Sequence, residues 1–104
     1  MMEFLKKIFG TRPSIDLKCL VDNGAVIVDV RSQGEFQSGH IAGSINIPVD
    51  VIAGQLSRIP KGKPIITCCA SGMRSASAKS ILMSNGFEEV YNGGGWFGLQ
   101  NKIN

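Results

Sequence analysis

The sequence predicts an α/β fold in which a small parallel sheet carries helices on both faces. Two short apolar runs rich in β-branched residues, 25–30 and 64–68, lack the alternation of a half-exposed strand, so we expect strands buried on both faces. Segments with apolar residues at helical spacing lie between and after these runs, and Asn-Gly and proline turn signals separate the segments. Strands that alternate with helices in this way are typical of parallel sheets.

The first half of the chain predicts two helical pieces and two strands. A helix that Ser14 can cap ends at the Asn23-Gly24 pair, and strand 25–30 follows it. A short helical or irregular piece then ends at Gly39, and a second short strand is expected at 44–47. The apolar face of the first helix consists of Leu17, Leu20 and Val21.

The second half repeats the pattern of helix and strand. A helix is expected over 49–59, because its apolar residues recur at helical spacing before Pro60. Strand 64–68 leads into a helix at 75–85, and Asn85-Gly86 is a suitable stop for that helix. A last strand at 90–91 and a short segment at 96–100 complete the prediction.

Length and composition suit one small globular domain. Of the 104 residues, 43% are hydrophobic and 18% charged, and we expect a single domain over 13–104 preceded by an N-terminal extension over 1–12. A net charge of +3, scattered along the chain, is too weak for a nucleic-acid-binding surface but suits a small anionic substrate. We expect a monomer or a weak dimer.

The three cysteines argue against a disulfide framework and against a metal site. The count is odd, and Cys68 and Cys69 are adjacent, which strains a bridge between them. A reducing compartment, the cytoplasm, is the simpler expectation. His40 is the only histidine and no second cysteine pair is present, so no metal-binding spacing exists.

Residues 1–10 are too short to span a bilayer and contain no signal-peptide core. Phe4, Leu5, Ile8 and Phe9 can share one face of a short helix. We expect this segment to pack on its own domain or on a neighbour and not on a membrane. The sequence leaves open whether a signal peptide has been removed.

Residues 67–75, Thr-Cys-Cys-Ala-Ser-Gly-Met-Arg-Ser, are the most informative part of the chain. They follow a predicted strand and precede a predicted helix, and active sites of such sheets lie at the carboxyl ends of strands. A turn of backbone N–H groups and a helix N-terminus both lower the pKa of a thiol and hold an anion beside it. The loop therefore predicts a nucleophilic cysteine next to an anion-binding site.

Three stretches form a set of motifs in a fixed order. The first is Asp29-Val30-Arg31 followed by Glu35-Phe36, the second is Gly-His-Ile-Ala-Gly-Ser-Ile-Asn-Ile-Pro at 39–48, and the third is C-x-x-G-x-R-S at 69–75. With these motifs, the chain resembles the single-domain rhodaneses, which are sulfurtransferases, over about 14–91. It departs from them after Gly95, where Trp96 follows at once and only eight further residues remain.

The resemblance implies a rhodanese-like domain in which Cys69 is the catalytic residue, with no metal and no organic cofactor. Cys69 would take a sulfane sulfur from thiosulfate or a related persulfide donor and pass it to a thiol, a protein acceptor or cyanide. Arg74 would bind an anionic leaving group or hold the loop, and Ser75 would cap the helix or bond the sulfur. The implied substrate- and anion-binding residues are Ala70, Ser71, Gly72, Met73, Arg74 and Ser75.

Two alternatives stay open. Counted from Cys68, the loop reads C-x5-R-S, the spacing of the phosphatases and arsenate reductases that share the rhodanese fold. Gly72 and Thr67 favour Cys69, because Gly72 lies three residues after it and phosphatases usually carry His at the position of Thr67. Cys68 is then a packed strand residue or a resolving thiol. The second alternative is a non-enzymatic module that binds a partner or relays sulfur.

The remaining polar residues have structural interpretations. We expect Asp29 and Arg31 to bond neighbouring loops and His40 to bond backbone, since a thiol that is already ionised needs no general base. Cys19 is expected in packing or at the surface, and Trp96 either covers the site or packs.

Overall fold

A computed structural model describes residues 16–104, and its centre is a parallel sheet of four strands in the order β2-β1-β3-β4. Each neighbouring pair of strands is parallel, which confirms the predicted α/β class. The strands are β1 (Val26–Asp29), β2 (Ile45–Asn46), β3 (Ile65–Cys69) and β4 (Val90–Gly95).

Helices cover both faces of the sheet. The α-helices are α1 (Leu17–Asp22), α2 (Gln33–Ser38), α3 (Met73–Ser84) and α4 (Trp96–Ile103), and two 3-10 segments lie at Val49–Gly54 and Leu56–Arg58. On one face, α3 and the first 3-10 segment pack over β1 and β3 around Val28, Ile52, Ile65 and Leu82. On the other face, α1 and α4 pack together around Ile27, Ile66 and Leu99. The sheet therefore separates two apolar clusters.

The prediction of a helix at 49–59 is wrong, because the structure has two 3-10 segments there. Their bonds run from residue i+3 to residue i, as from the Val51 N–H to the Pro48 carbonyl and from the Gln55 N–H to the Ile52 carbonyl. β-Branched residues and a glycine at Gly54 lower the helix propensity of this stretch. Apolar spacing gave the buried face, including Ile52, but not the hydrogen-bond pattern.

Several boundaries also differ from the prediction. Asp16 and not Ser14 caps α1, by accepting a hydrogen bond from the Cys19 N–H, and Ser14 and the segment 1–10 lie outside the described residues. Helix α3 begins at Met73, two residues before the predicted start. β4 continues to Gly95 and α4 runs for eight residues, so a C-terminal helix forms in spite of the departure after Gly95.

Candidate active site

The loop after β3 curls around the sulfur of Cys69. The Gly72 N–H donates to Cys69 Sγ at 3.0 Å and the Ser75 N–H at 3.4 Å. Gly72 has φ +104°, in the region that favours glycine, and this conformation turns its N–H toward the sulfur as it caps α3. The sulfur thus lies within a ring of backbone donors at the N-terminus of α3, a helix of 12 residues that is about 18 Å long.

These donors favour the thiolate form of Cys69. Burial raises the pKa of Cys69, but hydrogen bonds from the Ser75 side chain and from the Ser75, Gly72 and Ser71 N–H groups together lower it by more. The net result is a pKa of about 7 instead of the ordinary 9.0. A large part of the thiol is therefore ionised near neutral pH, and attack by this sulfur would need no separate base.

Cys68 lies on the opposite face of the sheet from Cys69. Successive strand residues point to opposite faces, and Cys68 packs with Ile27 and Leu99 while Cys69 belongs to the cluster of Val28 and Leu82. Burial raises the pKa of Cys68 to about 12, with a further increase from Asp29. This thiol is 0% exposed and lies outside the ring of N–H donors, so the geometry favours the loop register that begins at Cys69.

Arg74 is held by Glu35 and does not point an unpaired charge at the loop. Its guanidinium donates to Glu35 Oε1 at 2.7 Å and to Glu35 Oε2 at 3.0 Å. Glu35 also accepts from Ser32 as the N3 residue of the capping box of α2. The bidentate pair joins α2 to the first turn of α3, which is the geometry of a loop-holding residue, while anion binding by Arg74 stays a prediction.

Asp29 and Arg31 form a buried ion pair beside the loop. Arg31 donates through Nη2 to Asp29 Oδ2 and to the Gly39 carbonyl, both at 2.7 Å. The Arg31 guanidinium also lies 4.8 Å from the centre of the Trp96 ring. His40 stacks on Phe36, and its Nδ1 lies 2.7 Å from the Phe36 carbonyl oxygen. These groups hold neighbouring loops, and Trp96, the partly buried first residue of α4, packs against the cluster of Ile27, Ile66 and Leu99.

Sequence reasoning missed two residues that hold Ser75, and it gave no role to Glu35. Thr67 donates its hydroxyl to the Ser75 carbonyl at 2.9 Å, and Asn92 accepts the Ser75 hydroxyl at 2.6 Å. Thr67 and Asn92 face each other across β3 and β4, so one strand pair bonds both the carbonyl and the hydroxyl of Ser75. The motif Glu35-Phe36 was the available signal for Glu35, whereas Asn92 carried none.

The candidate loop residues differ in exposure. Cys69 is 1% exposed and Ser75 is fully buried, while Ala70 and Ser71 are exposed and Met73 is 79% exposed. The sulfur therefore lies at the base of the loop and the exposed residues form its outer edge. Between residues 16 and 104 there is no cluster of three or more potential metal ligands, and no helix is long and apolar enough to cross a bilayer.

Comparisons with known proteins agree with this geometry. The family model for the rhodanese-like domain matches residues 15–102. The thiosulfate sulfurtransferase GlpE of Pseudomonas savastanoi pv. phaseolicola is 37% identical over 91 residues, which are 88% of this chain and 86% of that protein.

Two solved structures show the same fold. The rhodanese-related protein of Thermoplasma volcanium is 33% identical with a TM-score of 0.68, and the match covers 88% of this chain and 91% of that one. Reduced CoADR-RHD of Bacillus anthracis is 34% identical with a TM-score of 0.73, over 94% of this chain and 18% of that one. With its sheet, its cysteine loop and these matches, the chain belongs to the rhodanese family of sulfurtransferases.

Proposed function

We propose that this rhodanese moves a sulfane sulfur from thiosulfate or a related persulfide donor to a thiol or cyanide through a persulfide on Cys69. The observation that carries the proposal is the ring of N–H donors around Cys69 Sγ. The name of the Pseudomonas relative, a thiosulfate sulfurtransferase, supports the choice of donor. The remaining loop residues, Ala70 to Arg74, would line the path of the donor.

The first step forms an S–S bond and breaks another. The Cys69 thiolate attacks the outer sulfur of thiosulfate, and the electron pair of the broken S–S bond leaves with sulfite. One thiolate and one thiosulfate dianion give one persulfide anion and one sulfite dianion, so charge is conserved. The Gly72 and Ser75 N–H groups would stabilise the anionic sulfur throughout this step.

The second step regenerates the thiolate. An acceptor thiolate attacks the terminal sulfur of the persulfide, and the electron pair of the Cys69 S–S bond returns to Cys69 Sγ. Cyanide takes the same sulfur and leaves as thiocyanate. Neither step changes the protonation of another side chain, and the ring of His40, the only histidine of the sequence, bonds the Phe36 carbonyl.

The charge of the loop affects which sulfur donors it can bind. Arg74, the cation of the loop, is neutralised by Glu35, so anion binding would rest on backbone N–H groups and the N-terminus of α3. Such a site accepts thiosulfate but does not require a dianion. We therefore include persulfides of small thiols and of proteins among the donors.

We place the protein in a reducing compartment, the cytoplasm, as a monomer or a weak dimer. All three cysteines are free thiols, and Cys69 must be reduced in order to act. Residues 1–12 are proposed as an extension that precedes a domain over 13–104.

Intact mass spectrometry tests the proposal. Reduced protein is incubated with thiosulfate, the donor is removed, and peptide mapping locates any added sulfur. We expect a gain of one sulfur, ~32 Da, on Cys69. Cys69→Ala should abolish the gain and the transfer to cyanide, while Cys68→Ala should keep both. Sulfur on Cys68, or no sulfur with thiosulfate and with a glutathione persulfide, would overturn the mechanism.

A further inference from the structure

The side chain of Asn92 lies between β4 and the cysteine loop and forms hydrogen bonds with both. Its Oδ1 accepts the Ser75 hydroxyl at 2.6 Å and the Gly94 N–H at 2.9 Å, and its Nδ2 donates to the Gly72 carbonyl at 3.2 Å. The backbone N–H of Gly94 and the backbone carbonyl of Gly72 both require this orientation of the amide. Oxygen and nitrogen of Asn92 are therefore assigned by two independent backbone groups.

The hydroxyl of Ser75 has one proton and three acceptors within reach. Asn92 Oδ1 lies at 2.6 Å, the Gly72 carbonyl oxygen at 3.1 Å and Cys69 Sγ at 3.5 Å. The shortest distance assigns the proton to Asn92. The lone pairs of Ser75 Oγ are then available to accept a hydrogen bond from the Cys69 thiol in its neutral form.

Ionisation of Cys69 changes this arrangement. A thiolate is acceptor-only and charged, and hydrogen bonds to charged groups are stronger than those to neutral amides. The Ser75 hydroxyl can satisfy the thiolate only by rotating away from Asn92, since it carries a single proton. Asn92 and the thiolate therefore compete for one hydrogen bond.

We propose that Asn92 is a positioning residue that acts through Ser75: it holds the Ser75 hydroxyl while Cys69 Sγ is uncharged and yields that hydroxyl to the sulfur while Cys69 is a thiolate. The inference rests on the proposed role of Cys69 as the sulfur carrier. It gives the hydroxyl two positions within one reaction cycle, and the proton stays on Ser75 in both.

The cycle follows from where the negative charge lies. In the free thiolate the charge is on Cys69 Sγ, and the Ser75 hydroxyl turns to it. When the S–S bond forms, sulfite leaves with the electron pair and the charge of the persulfide lies on the terminal sulfur. Cys69 Sγ is then a neutral disulfide sulfur, and the hydroxyl returns to Asn92. Attack by the acceptor restores the thiolate and the first position.

The charged groups near Cys69 take no part in the hydrogen bond between Asn92 and the Ser75 hydroxyl. Arg74 on α3 interacts with the thiol but is paired with Glu35 on α2. Asp29 on β1 is the register partner of Cys68 on β3, and Cys68 lies on the face of the sheet opposite Cys69. Among the described residues, the side-chain hydrogen bonds of Asn92 go only to Ser75, Gly72 and Gly94. Replacing Asn92 therefore alters the hydroxyl of Ser75 without breaking an ion pair.

The test measures the ionisation of Cys69 from the pH dependence of its alkylation by iodoacetamide. All proteins carry Cys19→Ser, because Cys19 is the exposed thiol, and peptide mapping follows Cys69. Asn92→Ala removes the competing acceptor, and we expect the midpoint of the alkylation profile to fall by about half a pH unit, the size of a modest net hydrogen bond. Asn92→Asp keeps the acceptor and adds negative charge, so its midpoint should rise.

The decisive comparison repeats Asn92→Ala in a Ser75→Ala background. If Asn92 acts through the hydroxyl, its replacement shifts the midpoint only when Ser75 is present. Equal shifts in both backgrounds, no shift in either, or a rise with Asn92→Ala would overturn the proposal. Asn101→Ala, on α4 and exposed, is the matched control and should not move the midpoint. Asn92 is itself exposed, so its variants keep the core, and circular dichroism verifies this.

This measurement does not depend on sulfur transfer. Alkylation reports the thiolate of Cys69 even in a protein that accepts no sulfur from thiosulfate. If no persulfide forms but the alkylation midpoints of the variants shift as expected, the proposed function is rejected and the exchange of the Ser75 hydrogen bond is kept. The reverse result would keep sulfur transfer and reject the role of Asn92.

Discussion

Under the proposed mechanism, the ionisation of Cys69 sets the pH range in which the protein can attack a sulfur donor. Hydrogen bonds from the loop outweigh burial and bring the pKa of Cys69 down to about 7. We expect the single-turnover rate of persulfide formation to rise through pH 7 and to level off about one unit above it. Thiosulfate is fully ionised over this range, so its own charge does not contribute. A midpoint near that of a free thiol, ~8.5, would contradict this assignment.

The same pKa predicts a contribution to stability. The folded pKa of Cys69 lies below its ordinary value of 9.0, so the stabilisation is fully present above about 9 and is lost as the pH falls through about 7. We expect the difference in unfolding free energy between the protein and Cys69→Ala to change over this interval and to be constant below it. Urea unfolding at several pH values, with Cys68→Ala as the control, measures the effect. A difference that is independent of pH would show that the loop does not favour the thiolate.

At the scale of residues, the sequence could propose Cys69 as the nucleophile but could not reveal the groups that hold it. The spacing from Cys69 to Gly72 and Arg74 is local, and a tight ring of N–H donors follows from it. The partners of this loop are distant: Glu35 lies 39 positions before Arg74, and Asn92 lies 17 positions after Ser75. Their contacts depend on how α2 and β4 pack against the loop, which a single sequence does not reveal.

The pair of Glu35 and Arg74 connects two elements, α2 and α3. Glu35 accepts from Arg74 and from Ser32, and these bonds, with that of Arg74 first, lower its pKa to about 2. Glu35→Gln should release Arg74 and loosen the loop, and we expect kcat/KM for thiosulfate to fall roughly three- to tenfold through lost positioning. The exposed Glu88→Gln is the control. Unchanged kcat/KM in Glu35→Gln would show that the loop holds its shape without the pair.

The lowered pKa of Glu35 also predicts how the stability of the protein changes in acid. Stabilisation by ionised Glu35 is complete above its ordinary value of 4.5 and is lost as the pH falls through about 2. The melting temperature of Glu35→Gln should therefore be lower than that of the parent near neutral pH and should approach it in strong acid. Differential scanning calorimetry over this range makes the comparison. A gap that stays constant down to about pH 2 would contradict it.

Close contact between β3 and β4 depends on a residue without a side chain. A Cβ on Gly93 would lie 2.8 Å from Ile66 Cγ2 and 2.9 Å from the Thr67 carbonyl oxygen. Gly93→Ala should therefore force the strands apart and cost about 1–3 kcal/mol of unfolding free energy. Gly98→Ala on α4 is the matched control, because no atom lies within 4 Å of its Cβ and alanine favours a helix. Equal stabilities for the two variants would contradict the close approach.

At the scale of elements, strands were easier to predict than the segments between them. The run 64–68 is apolar and β-branched throughout, and the strand lies one residue later at Ile65–Cys69. The stretch 49–59 has the apolar spacing of a helix, but spacing reports only which face is buried. The valines and Gly54 disfavour a regular α-helix, and the chain adopts shorter 3-10 turns that still bury Ile52.

In the whole molecule, the sheet divides the core into a cluster on the side of Cys69 and a cluster on the side of Cys68. The first contains Leu82 of α3, and the second contains Leu99 of α4. Only the first includes the helix whose N-terminus faces the catalytic loop. Both clusters contribute to stability, whereas the proposed chemistry at Cys69 involves only the first.

This division predicts that a cavity beneath α4 destabilises the protein without impairing sulfur transfer. Leu99 is 1% exposed, so Leu99→Ala should cost about 2–5 kcal/mol of unfolding free energy. Because Leu99 packs on the face opposite Cys69, we expect kcat/KM to remain within about twofold of the parent while the variant is folded. Urea unfolding and assays at 10–15 °C below the midpoint of the variant, about the margin that keeps it folded, provide the measurement.

Leu82→Ala is the matched cavity on the other face, since Leu82 is equally buried and lies on α3. It should cost a similar amount and also shift the alkylation midpoint of Cys69, because it loosens the helix that bears the N–H donors. A loss of more than about tenfold in kcat/KM for folded Leu99→Ala would show that α4 forms a wall of the site. The short C-terminal end after Trp96 would then be a determinant of activity. Retained activity would instead assign α4 to stability alone.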